Sequence, residues 1–152
     1  ILALDEFFDH KEFSGIKAIV LGGLPGKIFN QIRNKKNFVI HDYVTTKKLE
    51  EYYANAHLFF YPTLNEGFGY PPLEAMKYGT PVIASSISAV KEVCEHSVLY
   101  FDPYSVEEMT TKLIQFQSIN YKRQKQKAIN QYYKIKKKQI KDLEKITKLI
   151  LN

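Results

Sequence analysis

Apolar and polar positions recur along the chain with two periods, and the switches between them mark its elements. Leu4, Phe7 and Phe8, with Ala3, stand three to four apart and predict a helix already under way at the first residue. The β-branched run over 16–21, closed by Gly22-Gly23, predicts a strand buried on both faces of a parallel sheet. A turn and helix over 26–35 and a strand over 37–41 follow. Thr45 or Thr46 is then placed to cap a helix whose Leu49, Tyr52, Tyr53 and Ala56 share one face.

The alternation continues with a strand over 58–61, a loop, and a helix over 71–78 that starts at prolines and stops at Gly79. Strands over 81–84 and 98–101 enclose a short helix over 88–93, and Ser105 with Glu108 forms a capping box for a helix reaching 118. Strict alternation of this kind argues the α/β class, a doubly wound parallel sheet with helices on both faces. Beyond it, Ile140, Leu143, Ile146 and Ile150 recur among lysines and predict one or two carboxy-terminal amphipathic helices outside the sheet. The expected organisation is a domain over 1–118, truncated at its start, and a basic helical tail over 119–152.

Composition changes this picture in two places. The 45% hydrophobic and 25% charged residues are ordinary for a globular chain and exclude a disordered or collagen-like one. The net charge of +6 is uneven: residues 119–152 hold eleven of the 22 Lys and Arg and two of the 16 Asp and Glu, so they carry +9 and the rest −3. Charge arguments therefore concern the tail. Its readings are a solvated face of a helix packed on protein, an anionic membrane surface, or nucleic acid. Nucleic acid is not expected, because Tyr121, Tyr132 and Tyr133 at helical spacing suit packing better than base stacking. The longest apolar stretches fall far short of the roughly 20 residues that span a bilayer. Cys94 is the one cysteine and can form no intrachain disulfide, so the expected location is cytoplasmic, peripheral to a membrane if the tail binds lipid.

In an open parallel sheet, ligands bind at the carboxyl ends of the strands, so the loops after strands carry the chemistry. The loop after the strand over 58–61 holds Glu66-Gly67-Phe68-Gly69-Tyr70-Pro71-Pro72-Leu73-Glu74. Its glycines let backbone approach a ligand, and the helix that follows turns its amides and positive pole toward the same place, which suits an anion. Glu74, expected in the first helical turn, offers an acceptor for vicinal hydroxyls, and Glu66 offers a second. Read plainly, the glycines make a turn and Glu74 neutralises a helix terminus. Two carboxylates eight positions apart across Gly-Phe-Gly, between a buried strand and a proline-started helix, argue for more.

Over 58–103 the chain closely resembles the nucleotide-sugar-binding half of the retaining GT-B glycosyltransferases of the glycosyl transferases group 1 family. The resemblance rests on the E-x7-E pattern of Glu66 and Glu74, on Leu73-Glu74-Ala75-Met76, and on Gly79-Thr80-Pro81-Val82-Ile83-Ala84-Ser85. It implies a Rossmann-like domain, half of a GT-B fold, that takes a nucleoside-diphosphate-sugar as donor and needs no metal or other cofactor. By the same resemblance Glu66 is the catalytic-site carboxylate on the sugar, Gly67, Phe68, Gly69 and Tyr70 line the sugar and distal phosphate, and Glu74 grips the ribose. Tyr43 and Val44 border the base. The implied partner domain, which binds the acceptor, precedes this one in the family.

The family also places a strand ending in Arg, with a Lys soon after, ahead of the elements seen here. Nothing before Ile1 supplies either, so the chain alone is expected to be inactive. Lys91 stands where the family often has Pro. The run Gly22-Gly23-Leu24-Pro25-Gly26-Lys27-Ile28 is not a P-loop: one residue is missing between the outer glycines, and Ile28 replaces the hydroxyl that would bind magnesium. His10, His41, His57 and His96 are scattered, without metal-site spacing. A second class of function is a noncatalytic binding or scaffold domain of the same fold, using its basic tail on a membrane or nucleic acid.

Overall fold

The computed structural model describes residues 1–151, so Asn152, the last residue of the expected tail, lies outside the described residues. In chain order the elements are α1 (Leu2–Phe7), β1 (Ala18–Leu21), α2 (Gly26–Phe29), β2 (Phe38–His41), α3 (Thr46–Asn55), β3 (Phe59–Tyr61), α4 (Tyr70–Lys77), β4 (Val82–Ser85), α5 (Ser88–Cys94), β5 (Leu99–Phe101), α6 (Val106–Gln117) and α7 (Tyr121–Leu151). Short 3-10 turns cover Lys11–Phe13 and Lys35–Asn37. The residues fall into two compact units: 1–52 with 101–119, and 53–100 with the stretch from 120 onward. The expected α/β class with parallel strand pairs is present, its ladder divided into a β1-β2 sheet and a β3-β4-β5 sheet.

In the first unit β1 and β2 run parallel, from Ala18 opposite Phe38 to Leu21 opposite His41. Phe7 stacks on Phe13 at 4.4 Å and Phe8 meets Phe38 edge-on at 5.3 Å, so the apolar face of α1 closes over the sheet as its spacing requires. Met109, Leu113 and Phe116 of α6 are buried in the same unit. The expectation that the first strand is buried on both faces fails: Ile19 and Leu21 remain 45% and 39% exposed. A strand of a two-stranded sheet is not sandwiched between helix layers, which is what two-faced burial requires.

The helix expected over 26–35 also stops early, at Phe29: the Gln31 and Ile32 amides donate three residues back, to Ile28 O and Phe29 O, and Asp5 then takes the next two amides. This α1 side chain, 2% exposed, takes the Asn34 amide on Oδ1 at 2.8 Å and the Arg33 amide on Oδ2 at 3.0 Å. Amides bound to a carboxylate are unavailable to an i→i−4 ladder, so the chain turns away from helix. Burial pushes the Asp5 carboxyl upward, but these amides and the Arg33 guanidinium outweigh it and hold the pKa below the ordinary value.

In the second unit β3 and β4 run parallel, Phe59 opposite Val82 and Tyr61 opposite Ala84, and every residue of β4 is buried. The proline-to-glycine asymmetry read for α4 is realised in full. Pro71 and Pro72 lie in its first turn, and at the other end the Gly79 amide donates to Met76 O at 2.9 Å and the Thr80 amide to Ala75 O at 3.1 Å. Gly79 holds φ +75°, and a Cβ there would stand 2.9 Å from Ile129 Cδ1 of α7. The proximal half of α7 is packed, with Ala128, Gln131 and Ile135 buried and Gln131 Nε2 donating to Val93 O at 2.6 Å. The tail is one helix.

Gly79→Ala combines a left-handed backbone with a methyl group pressed on Ile129, and should lower stability by about 1–2 kcal/mol in chemical denaturation; an unchanged midpoint contradicts the close approach of α7.

Candidate functional site

The loop read as the chemical centre leaves the end of β3 and enters α4, and Gly69 shapes it. Gly69 is buried, adopts φ +89° and is the N-cap residue, so the helix begins at Tyr70, one residue before the prolines. This corrects one expectation: Glu74 stands five residues past the N-cap, just beyond the first turn, because the left-handed residue lets the helix start earlier. The dipole's influence fades past that turn, so another group has to place Glu74. Tyr53, 6% exposed, does so, its hydroxyl donating to Glu74 Oε2 at 3.3 Å.

Glu66 is held from two sides. The hydroxyl of Tyr61, the last residue of β3, donates to Oε2, and the Gly67 amide donates to Oε1 at 3.0 Å. The Tyr61 bond, joined by the amides of Gly67, Phe68 and Gly69, outweighs desolvation and holds the Glu66 carboxyl below its usual value. The amides expected to face a ligand thus already surround an anion, the chain's own carboxylate. Tyr61 is pushed up to about 12 by burial and by the neighbouring carboxylate. Burial likewise raises Tyr53, with the Glu74 charge adding to it. Both phenols therefore stay protonated as donors at neutral pH.

The two tyrosines are linked. Tyr53 meets the Phe59 ring edge-on at 5.3 Å, and Phe59 stacks on Tyr61 at 5.6 Å. Thr80 Oγ1 donates to Tyr53 O, and Ser85 Oγ to Tyr61 O at 3.4 Å. Phe68 and Tyr70 pack ring on ring at 4.5 Å beside the helix entrance, with Tyr70 56% exposed. Glu66, Gly67, Phe68, Gly69, Tyr70 and Glu74 are thus gathered on one loop and the helix it enters, in the second unit.

Tyr43 and Val44 follow β2 in the first unit, where Tyr43 is 83% exposed. Sequence reasoning passed over the two hydroxyl donors: Tyr53 was read as a helix core position and Tyr61 as a strand residue. The signal was a tyrosine ending the strand five positions before Glu66. Two open hollows, of about 500 and 230 Å³, are lined by residues of α7 and of the turn after α5, and none of the loop residues lines either. Among the described residues no three His, Cys, Asp or Glu side chains cluster as a metal ion would need. Cys94 is buried, which pushes its thiol up to about 12.

Residues 5–137 match the family model described as Glycosyl transferases group 1. The chain is 40% identical over 73 residues to the O-antigen chain mannosyltransferase RfbU of Salmonella typhimurium, a match covering 48% of this chain and 20% of that protein. Its fold is similar to that of sucrose-phosphate synthase from Thermosynechococcus elongatus, with a TM-score of 0.73 at 16% identity, over 98% of this chain and 42% of that one. The C-terminal domain of a glycosyl transferase group 1 family protein from Francisella tularensis gives a TM-score of 0.72 at 22% identity, over 90% of this chain and 75% of that one. At such identities the two structural likenesses carry the fold alone. The matched stretch spans about a fifth of the length of the Salmonella relative.

The depressed Glu66 pKa has a definite sign. A carboxylate held below its ordinary value of about 4.3 adds stability above that value, and the contribution is lost as the pH falls through the lower folded value. Carbon-13 titration of the Glu66 carboxyl should give a midpoint below the ordinary one, and Tyr61→Phe should move it up. A midpoint at the ordinary value in the parent chain contradicts the hold.

Proposed function

Because the chain belongs to the glycosyl transferases group 1 family, we propose that it is the donor-binding, Rossmann-like half of a GT-B glycosyltransferase that moves a sugar from a nucleoside-diphosphate-sugar to an acceptor hydroxyl. The observation that carries the reading is the pair of carboxylates, Glu66 and Glu74, flanking a glycine loop at the end of β3, each held by a tyrosine hydroxyl. Ionised carboxylates accept but do not donate, and vicinal hydroxyls of a sugar or ribose are the matching donors.

In this reading Glu66 orients the donor sugar and Glu74 the ribose. The amides of Gly67, Phe68, Gly69 and Tyr70 face the sugar and distal phosphate once the donor draws Glu66 toward its hydroxyls. The bond that breaks joins the anomeric carbon to the diphosphate, and the bond that forms joins the same carbon to the acceptor oxygen, with retention of configuration. The acceptor's proton leaves with the diphosphate. Metal is not part of the proposal. An acceptor-binding domain outside these residues completes the enzyme.

Calorimetry on the full chain tests the reading, with GDP-mannose against GDP and UDP-glucose against UDP as probes. Glu74→Ala should weaken binding of the nucleoside diphosphate by about ten- to a hundredfold, the worth of a hydrogen bond to a charged group. Glu66→Gln should weaken the sugar-bearing probe and leave the bare diphosphate unchanged. Equal affinities for parent and variants, or no binding of any probe, remove both residues from a donor site.

A second reading concerns α7 and is favoured by its distal half. Ile140, Leu143, Ile146 and Ile150, 49% to 75% exposed, share one face. Lys137, Lys141, Lys145 and Lys148 share the opposite face. This is the pattern of a helix lying in the surface of an anionic membrane, which would make the protein peripheral to the inner face, with or without catalysis. No helix among the described residues is long and apolar enough to cross a membrane. Vesicles of phosphatidylglycerol and phosphatidylcholine should retain the chain in sedimentation and release it when Lys137, Lys141 and Lys148 are changed together to Glu. Equal retention by pure phosphatidylcholine, or none by either, contradicts this role.

A further inference from the structure

Each of the two carboxylates ends on a tyrosine that comes from a different element. Glu74 of α4 takes the hydroxyl of Tyr53 from α3, and Glu66 of the loop takes the hydroxyl of Tyr61 from β3. The two tyrosines are joined through Phe59, which meets one edge-on and stacks on the other. Both anchors are themselves fixed: Tyr53 is 6% exposed with its carbonyl held by Thr80, and Tyr61 lies in register opposite Ala84 of the fully buried β4. The carboxylates, by contrast, sit on an exposed helix face and a glycine loop, where their rotamers would otherwise be loose.

We propose that Tyr61 and Tyr53 are positioning residues, Tyr61 setting the Glu66 carboxylate for the donor sugar and Tyr53 setting the Glu74 carboxylate for the ribose. Resting on the donor-site reading above, the inference adds to it which residues fix the pair and how the work is divided. A phenol donor occupies one oxygen of a carboxylate and stops its rotation, so the remaining lone pairs point one way before the ligand arrives. Preorganisation of this kind lowers the ordering cost of binding. The short ladder through Phe59 lets one rigid strand set the spacing of both acceptors, which must match the distance from ribose to sugar across a diphosphate.

The division of labour predicts two separable losses. With GDP-mannose and GDP as probes on the full chain, the quantity read is the ratio of the two affinities, in which general damage to the fold cancels. Tyr61→Phe should lower the sugar's contribution about five- to tenfold and leave GDP affinity as it was. Tyr53→Phe should weaken both probes by a similar factor and leave the ratio unchanged. In a Glu66→Gln background, Tyr61→Phe should cause no further loss, because the hydroxyl acts only through that carboxylate.

A Tyr61→Phe ratio equal to the parent's, in a chain whose Glu66→Gln variant has lost the sugar's contribution, overturns this inference and leaves the donor site standing. A full additional loss from Tyr61→Phe in the Glu66→Gln background overturns it as well. A Glu66→Gln variant that keeps the sugar's contribution defeats the donor-site reading, and the positioning role falls with it.

Discussion

The candidate site depends on a hydrogen bond between a donor on a paired strand and an acceptor in a loop: the Tyr61 hydroxyl at the end of β3 and the Glu66 carboxylate beside the glycines. A surface carboxylate without such a partner would sample many rotamers, and the amides of 67–69 would face water. With it, negative charge is held where the loop amides converge, and the Glu66 pKa is depressed accordingly. The loop in its free form resembles a site that has accepted an anion, the anion being its own side chain. On the proposed donor-site reading, binding would exchange acceptors at those amides and keep them satisfied in both states.

What makes Tyr61 rigid is the least exposed part of the chain. β4 is buried along its length, pairs with β3, and is followed by α5 with Val90, Val93 and Cys94 buried. The C-terminal motif of α4 and the close approach of Ile129 to Gly79 seat the proximal half of α7 beside that helix. The site is thereby built as a loop on a buried, paired frame, the arrangement in which loops carry function. The distal half of α7 belongs to neither: its apolar face is exposed, and its lysines give it a chemistry of its own.

Much of this was legible in the sequence because it rests on local signals. The Pro71-Pro72 to Gly79 asymmetry located α4, Thr45 capped α3 through the Lys48 amide, and Ser105 Oγ accepted the Glu108 amide as a capping box requires. The reciprocal half of that box took another form: Glu108 Oε2 accepts from the Asp102 amide at 3.0 Å. What escaped depends on contacts between distant residues. Asp5 binds the Arg33 amide from 28 positions away and holds the chain beyond α2 out of helix, which no window along the chain reveals. Tyr53 and Tyr61 looked apolar in their patterns because their rings are, while their hydroxyls do the placing. Glu74 was placed inside the first turn, one position too early, because the left-handed conformation of Gly69, which starts the helix at Tyr70, cannot be read from a glycine's presence alone.

The most direct check on the pair of carboxylates is carbon-13 NMR of Glu66 and Glu74 side chains during titration with a nucleoside diphosphate and then with the matching sugar donor. The account predicts that the Glu74 carboxyl resonance moves with the diphosphate alone, and that Glu66 moves only when the sugar is present. Two resonances that stay still through both additions, or that move together with the bare diphosphate, would contradict it.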